Sequence, residues 1–398
     1  MTRNSIFVLF FIISLVLLVF LFAETGIGSS PKAASASNEK LVAQTQTPVG
    51  SIQQLEKIKL IISTGIDSFI KELNDNGKLG YRLDNSVNYG GEGETQSFAA
   101  VLRLDAGNTY EYDWMSSPDK KLMEGRLNNQ AKRGFNLANT YPLTNCSGGS
   151  SEEKGNPTSP ESLVFRLYKG DAFLLERKNG RPERTKEYQV VIAKVHLGDS
   201  AEKTIQAALD AAPHGRPVKI LFARQGLLDF SVSLVIESDL SAVNAPKIEY
   251  RFLKKTSGLP KDVNALATQG FRFMAGRRVG MIGMVLMAKQ ANDATTYTFI
   301  DEKKHAKEFD KTVALGNSYQ GVMTGDLTCG STEVENERLV FAQNSAGAKH
   351  EYKIYNIATT KSGNATTDSV LGFQRLVGEN YQVKDLFYSG GLYVIFEK

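Results

Sequence analysis

The segment Lys247–Gln290 most constrains what this chain can fold into, because it reads as one small unit and weaker copies of it stand before and after. Ile248-Glu249-Tyr250-Arg251-Phe252 alternates apolar and polar residues, the period of a half-buried strand. Pro260 suits the first turn of a helix, where its missing N–H costs nothing. Val263, Leu266, Ala267 and Gly270 form one helical face, with Gly270 placed to turn the chain left-handed. Phe271-Arg272-Phe273-Met274 resumes alternation, and Ala275-Gly276-Arg277-Arg278 reads as a turn. Gly283–Ala288 is nearly all apolar, as expected of a strand covered on both faces.

This order predicts a βαββ unit. A strand–helix–strand crossover leaves its two strands parallel, and the third can fill the gap between them, antiparallel to both. The most apolar strand belongs in the centre, and here it is the third. Similar closing strands recur at Phe98–Leu104, Ala172–Glu176, Val232–Ile236, Leu339–Ala342 and Leu392–Glu397. Glu-Tyr recurs at Glu111-Tyr112, Glu187-Tyr188, Glu249-Tyr250 and Glu351-Tyr352, with Thr296-Tyr297 as a variant.

The expected fold class is therefore α+β: about six βαββ repeats, antiparallel sheets with helices on one face, after an N-terminal transmembrane or signal helix. The expected divisions are 1–23 (anchor or signal peptide), 24–50 (flexible tether), 51–105 (unit 1), 106–180 (unit 2, with a disordered insertion at 147–162), 181–240 (unit 3), 241–291 (unit 4), 292–345 (unit 5) and 346–398 (unit 6). Unit 3 is degenerate: its helix Ala201–Ala212 is clear, but Pro213 and Pro217 replace the Gly-aromatic step. One unit is too small to bury much core. Units are therefore expected to pack in pairs, sheets extended or stacked, burying Val101, Leu174, Val235, Leu286 and Ile395.

Ile6–Ala23 carries no charge and only Ser14 is polar. As a helix it spans roughly 27 Å, close to the hydrocarbon thickness of a bilayer. The expected partner is thus the membrane, through residues 6–23. Arg3 favours an outside location for the bulk of the chain, and the length of the run, with Leu21 two before Ala23 in place of a small residue, favours an uncleaved anchor. Cleavage to a periplasmic or secreted form is the alternative. The net charge of +4 is slight and interspersed, which argues against a nucleic-acid partner. A protein or a glycan stays open as partner, and the oligomeric state is not set.

No residue is assigned a catalytic, cofactor-binding or metal-binding role, and no cofactor is expected. His196, His214, His305 and His350 lack metal-ligand spacing and read as exposed or half-exposed loop residues. Cys146 and Cys329 both follow the second strand of their unit, which is no evidence of contact between them. No phosphate loop, nucleophile elbow or zinc-protease helix is present. The repeated tyrosines read as strand-edge residues with a packed ring and a wet hydroxyl, more than as stacking ligands.

The units resemble a small bacterial family of unknown function, family 4177. The resemblance rests on Gly390–Lys398 with Glu351-Tyr352-Lys353, and on Glu249-Tyr250-Arg251 with Gly270-Phe271-Arg272. It departs at unit 3, and where Tyr or Phe replaces the family's usual Trp after Gly. It implies small βαββ units and no catalytic residues. The expected function is a non-catalytic binding or scaffold module of the bacterial cell envelope. The alternative is a secreted or envelope enzyme with its site at a unit–unit interface.

Overall fold

The computed structural model describes residues 57–89, 96–117, 120–144, 168–180, 184–195, 201–211, 215–224, 230–241, 248–279, 282–290, 295–301, 304–324, 326–327, 334–335, 338–343, 350–359, 365–388 and 391–398. The anchor, the tether, the 147–162 insertion, Cys146, Cys329, His196 and His214 lie outside them. Among the described residues, no helix is long and apolar enough to cross a membrane.

The class is α+β, built from small and mostly antiparallel sheets. The first set is β1 (Ile58–Thr64), α1 (Ile66–Gly77), β2 (Tyr81–Tyr89) and β3 (Ser97–Leu104). The second is β4 (Tyr110–Ser117), α2 (Lys120–Lys132), β5 (Asn136–Thr144) and β6 (Tyr168–Lys178). The third is β7 (Lys186–Val195), α3 (Ala201–Ala211), β8 (Gly215–Arg224) and β9 (Phe230–Asp239). The fourth is β10 (Tyr250–Lys255), α4 (Leu259–Ala267), β11 (Phe271–Val279) and β12 (Ile282–Lys289). The fifth is β13 (Tyr297–Asp301), α5 (His305–Ala314), β14 (Asn317–Thr324), a short hairpin of β15 (Asp326–Leu327) and β16 (Val334–Glu335), and β17 (Arg338–Gln343). The sixth is β18 (Tyr352–Ile357), α6 (Thr367–Gly378), β19 (Gln382–Tyr388) and β20 (Leu392–Glu397).

In each set the closing strand lies between the other two and runs antiparallel to both. The second strand of each set carries an irregularity of register soon after it starts, at Leu83/Asn85, Leu137/Asn139, Pro217/Lys219, Phe273/Ala275, Tyr319/Gly321 and Val383/Asp385. Pro217 is tolerated there because a bulge frees its strand from one ladder bond.

The closing strands decide the packing. Each is apolar on both faces, so each sheet needs two covers. In β3, Phe98, Ala100 and Leu102 pack with Phe69 and Leu73 of α1 and against Ala172 and Leu174 of β6. In β6, Phe173 and Leu175 face the other way, onto Met123 and Leu127 of α2 and Val235 of β9. Val232, Leu234 and Ile236 of β9 then pack with Ile205 of α3 and Leu286 of β12. Val285 and Met287 of β12 pack with Val263 of α4 and Val340 of β17. Leu339 and Phe341 of β17 pack with Phe309 of α5 and Ile395 of β20. Finally Leu392, Val394 and Phe396 of β20 pack with Phe373 and Val377 of α6 and against Ala99 and Val101 of β3. The packing of the described sets thus returns to its start, and each helix lies between its own sheet and the next.

Val101, Leu174, Val235, Leu286 and Ile395 are all buried, each contributing roughly 1.5–3 kcal/mol of apolar transfer. The expected pairing of units is corrected: each closing strand packs with the closing strand of one neighbouring set on one face and of another on the opposite face, so no two sets form a separate pair. Sheet extension occurs where β11 and β14 run parallel at Gly276–Met323 and Arg277–Thr324, joining the fourth and fifth sheets. The expected turn at Ala275–Arg278 is also corrected, since β11 continues through it. Gly276 serves close approach instead: a Cβ there would lie 2.9 Å from Met323 Cγ.

Candidate functional site

The polar chemistry gathers at the joints between sets. The tyrosines of three first strands, Tyr112, Tyr188 and Tyr297, reach back to the preceding set. The Tyr112 hydroxyl accepts from the Leu83 N–H at 2.8 Å and donates to Glu176 at 3.1 Å. The Tyr188 hydroxyl accepts from the Leu137 N–H at 2.7 Å and donates to Glu237 at 3.1 Å. The Tyr297 hydroxyl accepts from the Phe273 N–H at 2.8 Å. Each of these N–H groups stands at a bulge, where the ladder leaves it unpaired. The tyrosines are therefore pegs between sets. Burial, then the charge of the neighbouring glutamate, raises the Tyr112 and Tyr188 hydroxyls well above the usual phenol range, so both stay protonated donors.

A second device was not foreseen from the sequence. The Asn74 amide of α1 donates to the Tyr112 carbonyl at 2.9 Å and accepts the Tyr112 N–H at 2.8 Å. Asn128 of α2 does the same with Tyr188, at 2.7 and 2.9 Å. Gln206 of α3 donates to the Tyr250 carbonyl at 2.9 Å and accepts the Phe252 N–H at 3.1 Å. Asn264 of α4 clasps Tyr297 in the same way. First strands are edges of their three-strand sets, and an edge with unmet backbone groups invites wrong pairing. The amide clamp meets one pair of those groups and seats the helix. A signal exists in hindsight: Asn74, Asn128 and Asn264 each stand six residues before a left-handed glycine, Gly80, Gly134 or Gly270. Asp310 and Gln374 hold that place in α5 and α6.

Two polar cavities open where second strands begin and closing strands end. One, of about 520 Å³, is lined by Arg82, Asn85, Asn139, Glu176, Lys186 and Glu237 from the first three sets. Burial raises the Glu176 carboxyl, against the opposing pull of Arg82 at 3.0 Å. Lys186 lies 3.1 Å from Glu237 and 2.9 Å from Asp239. The other, of about 310 Å³, is lined by Arg272, Tyr319, His350, Tyr352, Lys384 and Glu397 from the last three sets. Burial alone would raise the Glu397 carboxyl, but Lys384 at 2.9 Å, Tyr352 at 2.8 Å and His350 at 3.0 Å outweigh it and hold it low. Each glutamate is thus a carboxylate on which a tyrosine and a cation converge. Such an arrangement fixes a joint, and its outer rim offers hydrogen bonds to a polar ligand.

His350 is exposed, as expected, and joins the Glu397 group. His305 departs from the expected loop position. It opens α5 and is buried, its ring edge-on to Tyr393 at 4.8 Å. Its local sequence is polar, and the aromatic wall that covers it comes from β19 and β20. Among the described residues, no group of three or more His, Cys, Asp or Glu side chains is placed to hold a metal ion.

No family model and no curated protein matches this sequence.

Proposed function

We propose that this chain is an extracytoplasmic repeat protein, tethered to the bacterial inner membrane through residues 6–23, that acts as a non-catalytic binding or scaffold module of the cell envelope. In this reading the six sets are copies of one βαββ repeat, akin to family 4177, and their rims present the binding surface to a protein or a glycan. The observation that carries it is the use of titratable groups in joints. Glu176, Glu237 and Glu397 each receive a tyrosine hydroxyl and a cation. Glu176 thereby ties its set to Arg82 of the preceding one, while Glu237 and Glu397 brace tyrosines within their own sets. The charge-free run at 6–23 supports the tether.

The test is membrane fractionation of cells carrying the full-length chain with a C-terminal tag, followed by protease added from outside. Recovery in the membrane fraction, with the tag released by external protease, is the expected result. A soluble product beginning after Ala23, or a protected tag, would contradict the tethered reading.

One observation favours the alternative, an enzyme with its site between units. Glu176 has a raised carboxyl and lines an open cavity beside Lys186, a pattern seen at general acids. Glu176→Gln separates the two readings. A binding module keeps its ligand affinity to within a few-fold, while an enzyme loses turnover.

A further inference from the structure

The sequence holds two Asn-Gly pairs, Asn76-Gly77 and Asn179-Gly180. In such a pair the glycine's backbone nitrogen can attack the asparagine's side-chain amide carbon, because no Cβ shields it. The two pairs stand in opposite surroundings. Asn76-Gly77 closes α1, and Gly77 is buried there. The Asn76 amide is held from both sides: Lys59 Nζ donates to its Oδ1 at 3.1 Å, and its Nδ2 donates to the Glu72 carbonyl at 2.9 Å. Gly77 is pressed against the next set, since a Cβ there would run into the Tyr110 carbonyl. The Gly77 nitrogen reaches the amide only if this end of the helix opens.

Asn179-Gly180 lies just past Tyr110–Lys178, the last rung of the β4–β6 ladder. Both residues are exposed, and both have left-handed backbones, with φ 53° and 62°. A Cβ at Gly180 would meet no atom within 4 Å. Three bonds tie this turn to the link between the first and second sets. The Asn179 N–H donates to the Thr109 carbonyl at 2.8 Å, and the Thr109 N–H donates to Asn179 Oδ1 at 2.8 Å. Asn179 Nδ2 donates to Asn108 Oδ1 at 3.0 Å. The amide is thus held still, and the group that moves is the Gly180 nitrogen. The Thr109 N–H also draws electrons from Cγ, and it stands where it stabilises the oxyanion that an attack on Cγ creates.

We propose that Asn179 is a self-modification site, which deamidates spontaneously in the folded protein. The Gly180 nitrogen gives its proton to water or hydroxide and forms a bond to Asn179 Cγ. The Cγ–Nδ2 bond breaks, and the amide nitrogen leaves as ammonia with a proton taken from water. Water then adds to either carbonyl of the cyclic imide and opens it, to aspartate or to isoaspartate. Aspartate sets a carboxylate oxygen where Nδ2 had donated to Asn108. Isoaspartate also routes the main chain through the side-chain carbon, one atom longer, and moves the turn off Thr109. Either product loosens the tie between the exit of β6 and the link that precedes β4. The proposal rests on neither the tether nor the binding-module reading.

The test is incubation of the full-length protein in non-ionic micelles at mildly alkaline pH. Samples taken over time are cut with a glutamate-specific protease and read by fragmentation mass spectrometry. Asn179 is expected to convert at least roughly tenfold faster than Asn76, whose reaction waits on local opening of a helix end. In guanidinium, where both pairs are unfolded, the two rates are expected to converge. Gly180→Ala is expected to slow conversion at Asn179 severalfold. Should that variant fail to fold, given its left-handed backbone, the comparison with Asn76 in the wild type carries the test alone. The converted protein is expected to melt at a lower temperature than the fresh one. Equal rates at Asn76 and Asn179 in the folded protein would overturn the proposal. So would an Asn179 that stays an amide when folded and converts in guanidinium. An unchanged melting temperature after conversion would overturn the role given to the turn.

Discussion

Asn264 holds Tyr297 by both backbone groups: its side-chain amide donates to the Tyr297 carbonyl at 3.1 Å and accepts the Tyr297 N–H at 2.6 Å. The helix of one set is thereby fastened to the edge strand of the next. Asn264→Ala removes both bonds and leaves two half-buried groups to water. A loss of about 1–2 kcal/mol is expected in urea unfolding. Asn264→Asp should lose less, because the carboxylate still accepts the N–H while the Tyr297 carbonyl goes unmet. Equal stability of Asn264→Ala and wild type would show that the clamp is incidental.

Gly270 sits at φ 88°, in the left-handed region. Gly270→Ala should cost about 1 kcal/mol. The sixth set has Asn380 at the corresponding place, at φ 68°, and asparagine tolerates that region better than alanine does. Gly270→Asn is therefore expected to be the milder change. Thermal midpoints in the order wild type, Asn, Ala would bear this out, and a reversed order of the two variants would not.

Glu397 gives a pH dependence whose sign is fixed by its lowered carboxyl. The unfolded chain takes up its proton near pH 4.3, above the value in the folded protein, so acid favours unfolding through this group. The stabilisation is complete above about pH 5 and disappears as pH falls through the folded value. The groups facing it are Lys384, His350 and Tyr352. Glu397→Gln should be less stable than wild type at neutral pH, with the gap closing in acid. A gap that is constant from pH 3 to 7 would contradict the assignment.

How far the sequence could be read follows from these same residues. The closing strands were legible because a run such as Gly283–Ala288 has no polar face, and only a central strand with two covers can use one. Gly270 was legible because it ends a helical face just before an aromatic strand. Asn264 was not, since a lone amide on a helix looks like surface, and its partner is a backbone group 33 residues on. The bulges were not legible either. Those at Leu83, Leu137 and Phe273 each receive a tyrosine hydroxyl from the next set, so Ala275–Arg278 looked like a turn. His305 looked exposed because its cover, Phe387 and Tyr393, lies 80 residues or more away in sequence. The circuit needed one fact that no local pattern carries, namely that the sixth helix finds the first sheet.

That closure is the central claim. It is tested most directly at Asp385 of β19, which accepts from Asn85 Nδ2 of β2 at 2.6 Å across 300 residues of sequence. Asp385 also accepts from the Tyr319 hydroxyl at 2.6 Å, so it ties the first, fifth and sixth sets together. The measurement is a double-mutant cycle in urea, comparing Asn85→Ala, Asp385→Ala and the pair. If the first and last sets pack as described, the two substitutions couple by about 1.5–3 kcal/mol, the range for a hydrogen bond to a charged group. Additivity within about 0.5 kcal/mol, the behaviour of sites that do not touch, would contradict the closed circuit.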